Sequence, residues 1–273
     1  MNRKQNKTYF STSKVMGILN LTSNSLYDGG KYNDTEKILS QAKKMIDEGA
    51  NIIDIGAQSS RPGSDEISED EELSKIIPAL IKIRKHFPNI LFSIDTYRSK
   101  VAEESINNGA DIINDISAGD LDKNMFSVIA KHKVPYIITH MIGTPKNMQE
   151  NPTYNNAVEE IINYFQQKIE TLHDFGIDKL IIDPGFGFGK TLEHNYEILN
   201  NLEKFECLEY PILIGVSRKS MINKLLDTDA NQALNGTSAI NTIALNKGVK
   251  ILRVHDVKEA VQCIKIVNFA KNI

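Results

Sequence analysis

The sequence is poor in cysteine, in long apolar runs and in any excess of charge. Its 273 residues include two cysteines, Cys207 and Cys263. This number suits buried free thiols in a reducing compartment better than a disulfide framework or a zinc site. No apolar run approaches the ~18 residues of a membrane span, and the segment MNRKQNKTYF lacks the apolar core of a signal peptide. We therefore expect a cytoplasmic protein with no membrane partner.

Charge is nearly balanced in this chain. The formal net charge is -3 at pH 7, with 25% charged and 41% hydrophobic residues. This composition is typical of a globular protein and argues against a broad nucleic-acid-binding surface. Any anionic ligand must be held by a local cluster of cations, so we expect small-molecule substrates and no nucleic-acid partner.

Short apolar segments alternate with longer amphipathic ones from Lys14 onward. No flexible linker or low-complexity tract interrupts them, which predicts one domain over residues 1–273, with 1–13 as an N-terminal extension. Apolar strands separated by helices are typical of a parallel sheet buried on both faces, and this many strands favour an α/β fold of the (β/α)₈ TIM-barrel type over an open sheet. The predicted strands are VMGILN (15–20), IIDIG (52–56), ILFSID (90–95), DIIND (111–115), VPYIITH (134–140), LIIDP (180–184), ILIGV (212–216) and ILRVH (251–255).

Polar side chains collect where these strands end, which is the face that carries the active sites of barrels. Asp95, Asn114 and Asp183 are the most informative, because each follows apolar strand residues and a buried carboxylate is costly unless it is paired or hydrogen-bonded. Helix capping could explain one of them but explains all three poorly. The strand-end candidates are Asn20, Gln58, Arg61, Asp95, Asn114, His140, Asp183, Lys219, Arg253 and His255.

These residue types leave three chemistries open. Two carboxylates and an amide could form a metal cage, a general acid/base pair, or a reader of a heterocycle rich in N–H donors. The cations Arg61, Lys219, Arg253 and His255 weigh against a pure metal cage, because they suit a phosphate-bearing substrate. We expect a mouth built for a small planar ring joined to an anionic group. Arg218 is interpreted as a solvated helix residue.

The segment IIDPGFGFGKT (181–191) has some features of a nucleotide-binding loop. Its last three residues match the tail of a P-loop, but the first glycine of that motif would have to stand where Pro184 is. The dinucleotide fingerprint fails as well, because the three glycines alternate without a two-residue gap. The segment is therefore an ordinary turn or serves another chemistry.

A series of motifs along the chain resembles the dihydropteroate synthase family, from about Lys14 to the C-terminus. In order they are MGILNLT with DGG after it, SSRPG, SIDTYRS, GADIINDISAG, HMIGTPKNMQ, DPGFGFGKT, GVSRKS and RVHDV. The resemblance implies a (β/α)₈ barrel that joins 7,8-dihydropterin-6-ylmethyl diphosphate to 4-aminobenzoate, releases pyrophosphate and yields 7,8-dihydropteroate. It also implies Mg²⁺ as cofactor and a homodimer.

The same resemblance implies roles for the strand-end residues. The residues that would bind the pterin are Asp95, Asn114, Asp183, Lys219 and Arg253. Those that would hold the diphosphate are Asn20, Ser60, Arg61, Arg253 and His255, and Asn20 would also ligate Mg²⁺. The 4-aminobenzoate site would comprise Leu26, Pro62, Phe188, Ser217 and Lys219. Catalysis would rest on Asp95, Lys219, Arg253 and His255, which assist cleavage of the C–O bond so that the arylamine traps a methylene cation without a strong general base.

Several nearby residues have open or supporting roles. His140 either contacts the ligand or only supports the end of its strand. Asp54 is a candidate for supporting the site from behind, and Asp115 is expected to be a buried hydrogen-bond partner. In the segment 181–191 the glycines would let the backbone pass close to the ligand, and Lys190 is the residue least expected to touch a phosphate.

The first loop departs from the usual family pattern, T-P-D-S-F-S-D-G-G. It reads TSNSLYDGG (22–30), so Leu26 stands where a phenylalanine is expected to lean on 4-aminobenzoate. We expect sulfonamide analogues to bind more weakly here than to a relative with that phenylalanine. Two other functions stay open: a pterin-binding methyltransferase of the related barrel type, which would not need the SRPG and RVH diphosphate ligands, and a non-catalytic pterin-binding paralogue.

Overall fold

The computed structural model describes residues 10–21, 31–58 and 66–273, with the side chains of 31–35 excepted. Strands and helices alternate through these residues. The strands are β1 (Lys14–Asn20), β2 (Ile52–Gly56), β3 (Leu91–Asp95), β4 (Ile112–Asp115), β5 (Tyr136–Thr139), β6 (Leu180–Asp183), β7 (Leu213–Ile214) and β8 (Ile251–Val254). The helices are α1 (Lys31–Asp47), α2 (Glu69–His86), α3 (Ser99–Asn107), α4 (Met125–His132), α5 (Ala157–Asp174), α6 (Leu192–Asn200), α7 (Ser220–Leu226), α8 (Leu234–Asn246) and α9 (Val257–Lys271), with a 3₁₀ helix at Leu202–Leu208.

The strands form one parallel sheet that closes on itself. They are hydrogen-bonded in the order β6-β5-β4-β3-β2-β1-β8-β7. A parallel bridge between Ile182 and Ile212 joins the two ends of this sheet. The prediction of a single (β/α)₈ barrel is therefore confirmed. Strand β7 is shorter than predicted, because the chain turns soon after it and the Lys219 backbone N–H donates to Val216 O.

Helix starts are set by local capping groups. The side chain of Ser68 accepts a hydrogen bond from Glu71 N at the start of α2, and that of Asn156 accepts from Glu159 N at the start of α5. Along α5 the buried residues recur at helical spacing, which turns one apolar face toward the barrel. Asp95, Asn114 and Asp183 all lie within strands. Helix capping therefore does not explain them.

An apolar layer fills the N-terminal end of the barrel. One residue from most strands contributes, because side chains on a strand alternate between the barrel interior and the helices. Phe10 is 2% exposed and belongs to this cluster, so at least this part of the expected N-terminal extension packs against the barrel. The cluster comprises Phe10, Met16, Ile52, Ile112, Ile137, Ile181, Leu213 and Ile251.

The two free cysteines lie in different surroundings. Cys263 is buried in α9, as expected, but Cys207 is exposed. The expectation was wrong for Cys207 because the 3₁₀ helix buries Leu202, Phe205 and Leu208, which leaves Cys207 on its outer side. Among the residues that the structure describes, no helix is long and apolar enough to cross a membrane.

Candidate active site

The inward-facing positions of the strands change from apolar to polar toward their C-terminal ends. Strand alternation places the residue two positions after each member of the apolar layer on the same inner face. Asp95 lies opposite Asn114, and Thr139 lies opposite Asp183, in the parallel register. The change from apolar to polar occurs at the pairs Ile52 and Asp54, Ile112 and Asn114, Ile137 and Thr139, Ile181 and Asp183, and Ile251 and Arg253.

A pocket opens among these polar groups at the C-terminal mouth of the barrel. It brings together the five residues predicted to bind the pterin, together with Phe188 from the predicted 4-aminobenzoate wall. The lining residues are Asp95, Asn114, Ile116, Thr139, Asp183, Phe188, Gly215, Lys219 and Arg253. The structure therefore places most of the predicted site residues that it describes around one cavity.

Arg253 spans two carboxylates at the floor of this pocket. Its Nε donates to Asp54 Oδ2 at 2.6 Å, and its second guanidinium nitrogen donates to Asp95 Oδ2 at 2.5 Å. Asn114 Nδ2 donates to the same Asp54 oxygen at 3.1 Å. Asp54 is fully buried, so its charge is held in place and orients both the arginine and the amide.

Burial dominates the electrostatics of Asp95. It raises the pKa of Asp95 from 3.8 to about 7, because water is removed from the carboxylate and the negative charge of Asp54 lies nearby, while Arg253 opposes the shift. The ion pair in turn raises the pKa of Arg253, which stays cationic. Any further N–H donor in the pocket would therefore stabilise the ionised form of Asp95.

Lys219 and Asp183 face each other across the same cavity. Burial lowers the pKa of Lys219 to about 8, with Asp183 opposing this and Arg253 adding to it. Burial also raises the pKa of Asp183, whose Oδ1 accepts from Gly185 N at 2.8 Å. The Lys219 ammonium donates to Phe186 O at 2.6 Å and lies 4.4 Å from the centre of the Phe188 ring.

The end of β8 adds an imidazole beside the mouth. His255 Nδ1 lies 3.1 Å from Ser217 Oγ, and the same hydroxyl accepts from the backbone N–H of His255 at 3.2 Å. Ser217 is buried and His255 half-buried. Asn20, at the exposed end of β1, lies opposite Gly56, the neighbour of Asp95 in the register. The described part of the predicted diphosphate site thus shares the mouth with the pterin residues.

Two sequence-based interpretations need to be revised. Arg218 is not a solvated helix residue: it precedes α7 with φ 59° and donates two hydrogen bonds to Asp256, at 3.0 and 2.6 Å. Its side chain is 33% exposed and therefore partly solvated, but it lies before α7 and pairs with Asp256, which precedes α9. At Gly185 the close neighbour is His140 O, which a Cβ would approach to 2.0 Å, so the glycine serves backbone packing within the protein.

Other predicted residues lie behind the site or outside the described chain. His140 is 6% exposed, and its ring contacts Lys190 and Tyr164 on the far side of the loop after β6. These contacts favour the interpretation that His140 supports the end of its strand and does not contact the ligand. Asp115 accepts bonds from Ser117 and Tyr136, as expected of a buried partner. Leu26, Ser60, Arg61 and Pro62 lie outside the described residues.

Sequence reasoning gave Asp54 only a supporting role, although in the structure its carboxylate accepts the hydrogen bond from Arg253 Nε. It also left out Ile116, Thr139 and Gly215, which line the pocket. The signal that finds Asp54 and Thr139 is alternation: each stands two residues after a member of the apolar inner layer. That signal requires knowing which face of each strand points inward.

Comparisons with known proteins show which family the chain is similar to. The family model for pterin binding enzymes matches residues 16–255. A dihydropteroate synthase from Haemophilus influenzae is 43% identical over 258 residues, covering 94% of this chain and 93% of the relative. The solved Yersinia pestis dihydropteroate synthase with a sulfonamide drug complex aligns with TM-score 0.91 and 41% identity, covering 97% of this chain and 96% of that chain. The Xanthomonas albilineans enzyme solved with 4-aminobenzoic acid aligns with TM-score 0.90 and 31% identity, covering 97% and 95%. The chain belongs to the dihydropteroate synthase family of pterin-binding enzymes.

Proposed function

We propose that this chain joins 7,8-dihydropterin-6-ylmethyl diphosphate to 4-aminobenzoate and releases 7,8-dihydropteroate and pyrophosphate. The observation that carries the proposal is Arg253, which is held by Asp54 and Asp95 at the floor of a pocket also lined by Lys219. This arrangement supplies acceptors for the N–H groups of a heterocycle and cations for an anionic leaving group.

The pterin is read by the buried polar groups of the pocket. Asp183 accepts two parallel hydrogen bonds from the amino group and ring N–H, because one of its oxygens is already oriented by Gly185 N. Asp95 and Asn114 bind the remaining polar edge, and Lys219 donates to the ring carbonyl. These N–H donors lower the raised pKa values of both aspartates and stabilise their ionised forms.

Arg253 has two tasks in this proposal. Its planar guanidinium stacks on the pterin ring and also reaches the diphosphate, which a lysine could not do. Asp54 holds it at the required depth through the 2.6 Å bond to Nε. When the pterin binds, Asp95 turns part of its hydrogen bonding from Arg253 to the substrate, and Asp54 remains as the fixed counter-charge.

The diphosphate is held by Asn20, Arg253 and His255. Ser60 and Arg61, which the sequence resemblance implies, complete the set of diphosphate-binding residues. Among the described residues no group of three His, Cys, Asp or Glu side chains could hold a metal ion. Mg²⁺ often uses few protein oxygens and takes its other ligands from phosphates and water, so the single exposed amide of Asn20 fits a magnesium ion that arrives with the diphosphate. When bound, Mg²⁺ would neutralise charge on the departing group.

The arylamine completes the reaction on the side of Phe188. Its carboxylate-bearing ring lies among Phe188, Ser217 and Lys219, with Leu26 and Pro62 as the predicted remainder of the wall. The apolar side chains of Phe188 and Ile116 on this side of the pocket keep water from capturing the methylene cation after the C–O bond has broken. The amine of 4-aminobenzoate is already unprotonated at neutral pH, so no general base is assigned.

Pyrophosphate release, measured with each component omitted in turn, tests this function. We expect release only when pterin diphosphate, 4-aminobenzoate and Mg²⁺ are all present. Pterin binding without turnover would instead support the non-catalytic paralogue. Pyrophosphate release that does not depend on 4-aminobenzoate would refute the synthase assignment. Methyl transfer from a reduced folate would favour the methyltransferase.

A homodimer and a cytoplasmic location are part of the same proposal. Two residues of α9 and one just beyond it expose large apolar side chains at i, i+3 and i+7 spacing: Ile266, Phe269 and Ile273, at 67%, 73% and 95% exposure. Such a stripe suits burial against a second copy of the chain. Sedimentation equilibrium should give twice the monomer mass for the wild type and a weaker association for Phe269→Glu. Cell fractionation tests the location.

A further inference from the structure

The loop after β6 is held by side chains at four consecutive carbonyl oxygens. Glycines with positive φ at 185, 187 and 189 shape this loop. The donors to the carbonyl oxygens of residues 186 to 189 are, in order, Lys219 at 2.6 Å, Gln149 at 2.5 Å, Lys190 at 2.9 Å and Tyr154 at 3.0 Å. The loop is therefore fixed both from the pocket side, by Lys219, and from behind.

Lys190 is the most buried of these donors. It is 3% exposed, and its ammonium donates to three acceptors: Phe188 O at 2.9 Å, His140 Nδ1 at 3.0 Å and His140 O at 3.3 Å. Burial lowers the pKa of Lys190 to about 7, while Asp183 opposes that shift. Burial, together with the charge of Lys190, also lowers the pKa of His140 to about 2, so its ring is neutral and accepts. The three bonds offset the cost of burying the ammonium.

The contacts of Lys190 connect two strand exits. His140 follows β5 and Phe188 follows β6, and Lys190 is the group that bonds to the backbone of both. The ring of His140 is further packed edge-on against Tyr164, with centroids 4.9 Å apart. These contacts hold His140 in place. Because the Lys190 ammonium bonds to both His140 and Phe188 O, it keeps the Phe188 carbonyl at a fixed position relative to His140.

Phe188 links the bond from Lys190 to the pocket, because its backbone accepts that bond and its side chain lines the cavity. Its ring is 7% exposed, packs with Ile116 and Met148, and lines the cavity beside Lys219. A shift of the Phe188 backbone would move the ring against which a flat aryl group rests. It would leave Asp95 and Asn114 in place, because those residues lie on other strands.

We propose that Lys190 is a positioning residue for 4-aminobenzoate: by binding the carbonyl oxygens of Phe188 and His140, it fixes the Phe188 ring as the wall of the arylamine site. The inference rests on the proposed function for the identity of the aryl ligand. It goes beyond that function because Lys190 is not among the residues that line the pocket. A purely stabilising role for Lys190 would affect both substrates alike.

The test is equilibrium binding to the Lys190→Met variant, measured by calorimetry. The dissociation constant of 4-aminobenzoate is measured in the presence of pyrophosphate, Mg²⁺ and an unreactive pterin, and that of the pterin is measured separately. We expect 4-aminobenzoate to bind about three- to tenfold more weakly, the range of one aromatic contact, and the pterin to bind within twofold of the wild type. Equal weakening of both ligands, or of neither, would overturn the inference.

Two further variants keep the test decisive. Lys179→Met removes another ammonium-to-carbonyl bond, to Lys133 O at 2.6 Å, at the opposite end of β6, and should leave both affinities unchanged. Tyr154→Phe removes only the hydroxyl bond to Gly189 O and should weaken 4-aminobenzoate about threefold, with the pterin within twofold of the wild type. If Lys190→Met does not fold, Tyr154→Phe decides, and an unchanged affinity in it overturns the proposal.

Binding also separates this inference from the proposed function. A wild type that binds both ligands but makes no dihydropteroate would refute the synthase reaction while leaving the role of Lys190 to be decided by the variants. A wild type that makes dihydropteroate, together with a Lys190→Met variant of unchanged affinities, would refute only the role of Lys190. A wild type that binds neither ligand would overturn both.

Discussion

Replacing Asp54 with asparagine removes the buried charge that holds Arg253 while keeping the shape of the side chain. Two unit charges ~4 Å apart attract by about 4 kcal/mol at an effective dielectric constant of ~20, and the cost of burying both charges offsets much of this. Asp95 remains as a second partner of the guanidinium. We therefore expect the free energy of unfolding to fall by about 1–3 kcal/mol, less than the ~3–5 kcal/mol that follows when a buried charge loses its only partner.

The same variant should lose activity toward one substrate in particular. Without the charge of Asp54, Asp95 is the carboxylate hydrogen-bonded to the arginine, and it must both hold Arg253 and bind the pterin. We expect kcat/KM for pterin diphosphate to fall about 10- to 100-fold, which corresponds to about 1.4–2.7 kcal/mol of transition-state stabilisation. The KM for 4-aminobenzoate should stay within twofold, because Asp54 lies on the pterin side of the pocket. The assay is steady-state pyrophosphate release with each substrate varied.

Asp115→Asn is the matched control for this prediction. Asp115 is equally buried and accepts from Ser117 N at 2.7 Å, Gly119 N at 2.8 Å and the Tyr136 hydroxyl at 2.6 Å. None of the groups that donate to Asp115 belongs to a residue that lines the pocket, whereas Arg253 and Asn114, which donate to Asp54, both do. Substitution of Asp115 should reduce stability without changing either KM. A wild-type kcat/KM in Asp54→Asn, or equal kinetic losses in both variants, would refute the positioning of Arg253 by Asp54.

Three further predictions concern pH, the first loop and the metal. The pKa of Asp95 in the folded protein is raised from 3.8 to about 7, so its contribution to stability is fully present below about pH 4 and is lost progressively as pH rises from there to about 7. Asp95→Asn should therefore gain thermal stability relative to the wild type as pH rises from about 4 to about 7, and a difference in Tm that does not change over this range contradicts this. Leu26→Phe should make the enzyme several-fold more sensitive to sulfonamides, because one aromatic contact contributes about 0.5–1.5 kcal/mol, and equal inhibition of both forms removes the idea. Chelation of divalent ions should stop pyrophosphate release while calorimetry still detects pterin binding; unchanged release would exclude the proposed role of Mg²⁺.

The barrel and much of its mouth could be predicted because they depend on local patterns. Apolar runs separated by amphipathic segments predict parallel strands, and a carboxylate that follows an apolar strand, such as Asp183, indicates a buried polar site. The motifs then supplied the substrate roles. What sequence reasoning underestimated was Asp54, because it stands in the middle of a strand and its importance depends on which face points inward.

Long-range contacts set the other limits of sequence-based reasoning. Arg218 binds Asp256, 38 residues away in the sequence, and no local pattern identifies that partner. The side toward which His140 turns depends on Lys190, which lies 50 residues later. The sequence predicted that Lys190 would not touch a phosphate, but its burial and its bonds to the carbonyl oxygens of His140 and Phe188 depend on the folded loop.

The proposed reaction is tested most directly by quantifying both of its products. Purified protein is incubated with pterin diphosphate, 4-aminobenzoate and Mg²⁺, and dihydropteroate and pyrophosphate are measured together by chromatography. We expect equal molar amounts of the two, with neither formed when 4-aminobenzoate is left out. Pyrophosphate without dihydropteroate, or no conversion by folded protein that binds the pterin, would contradict the proposed reaction.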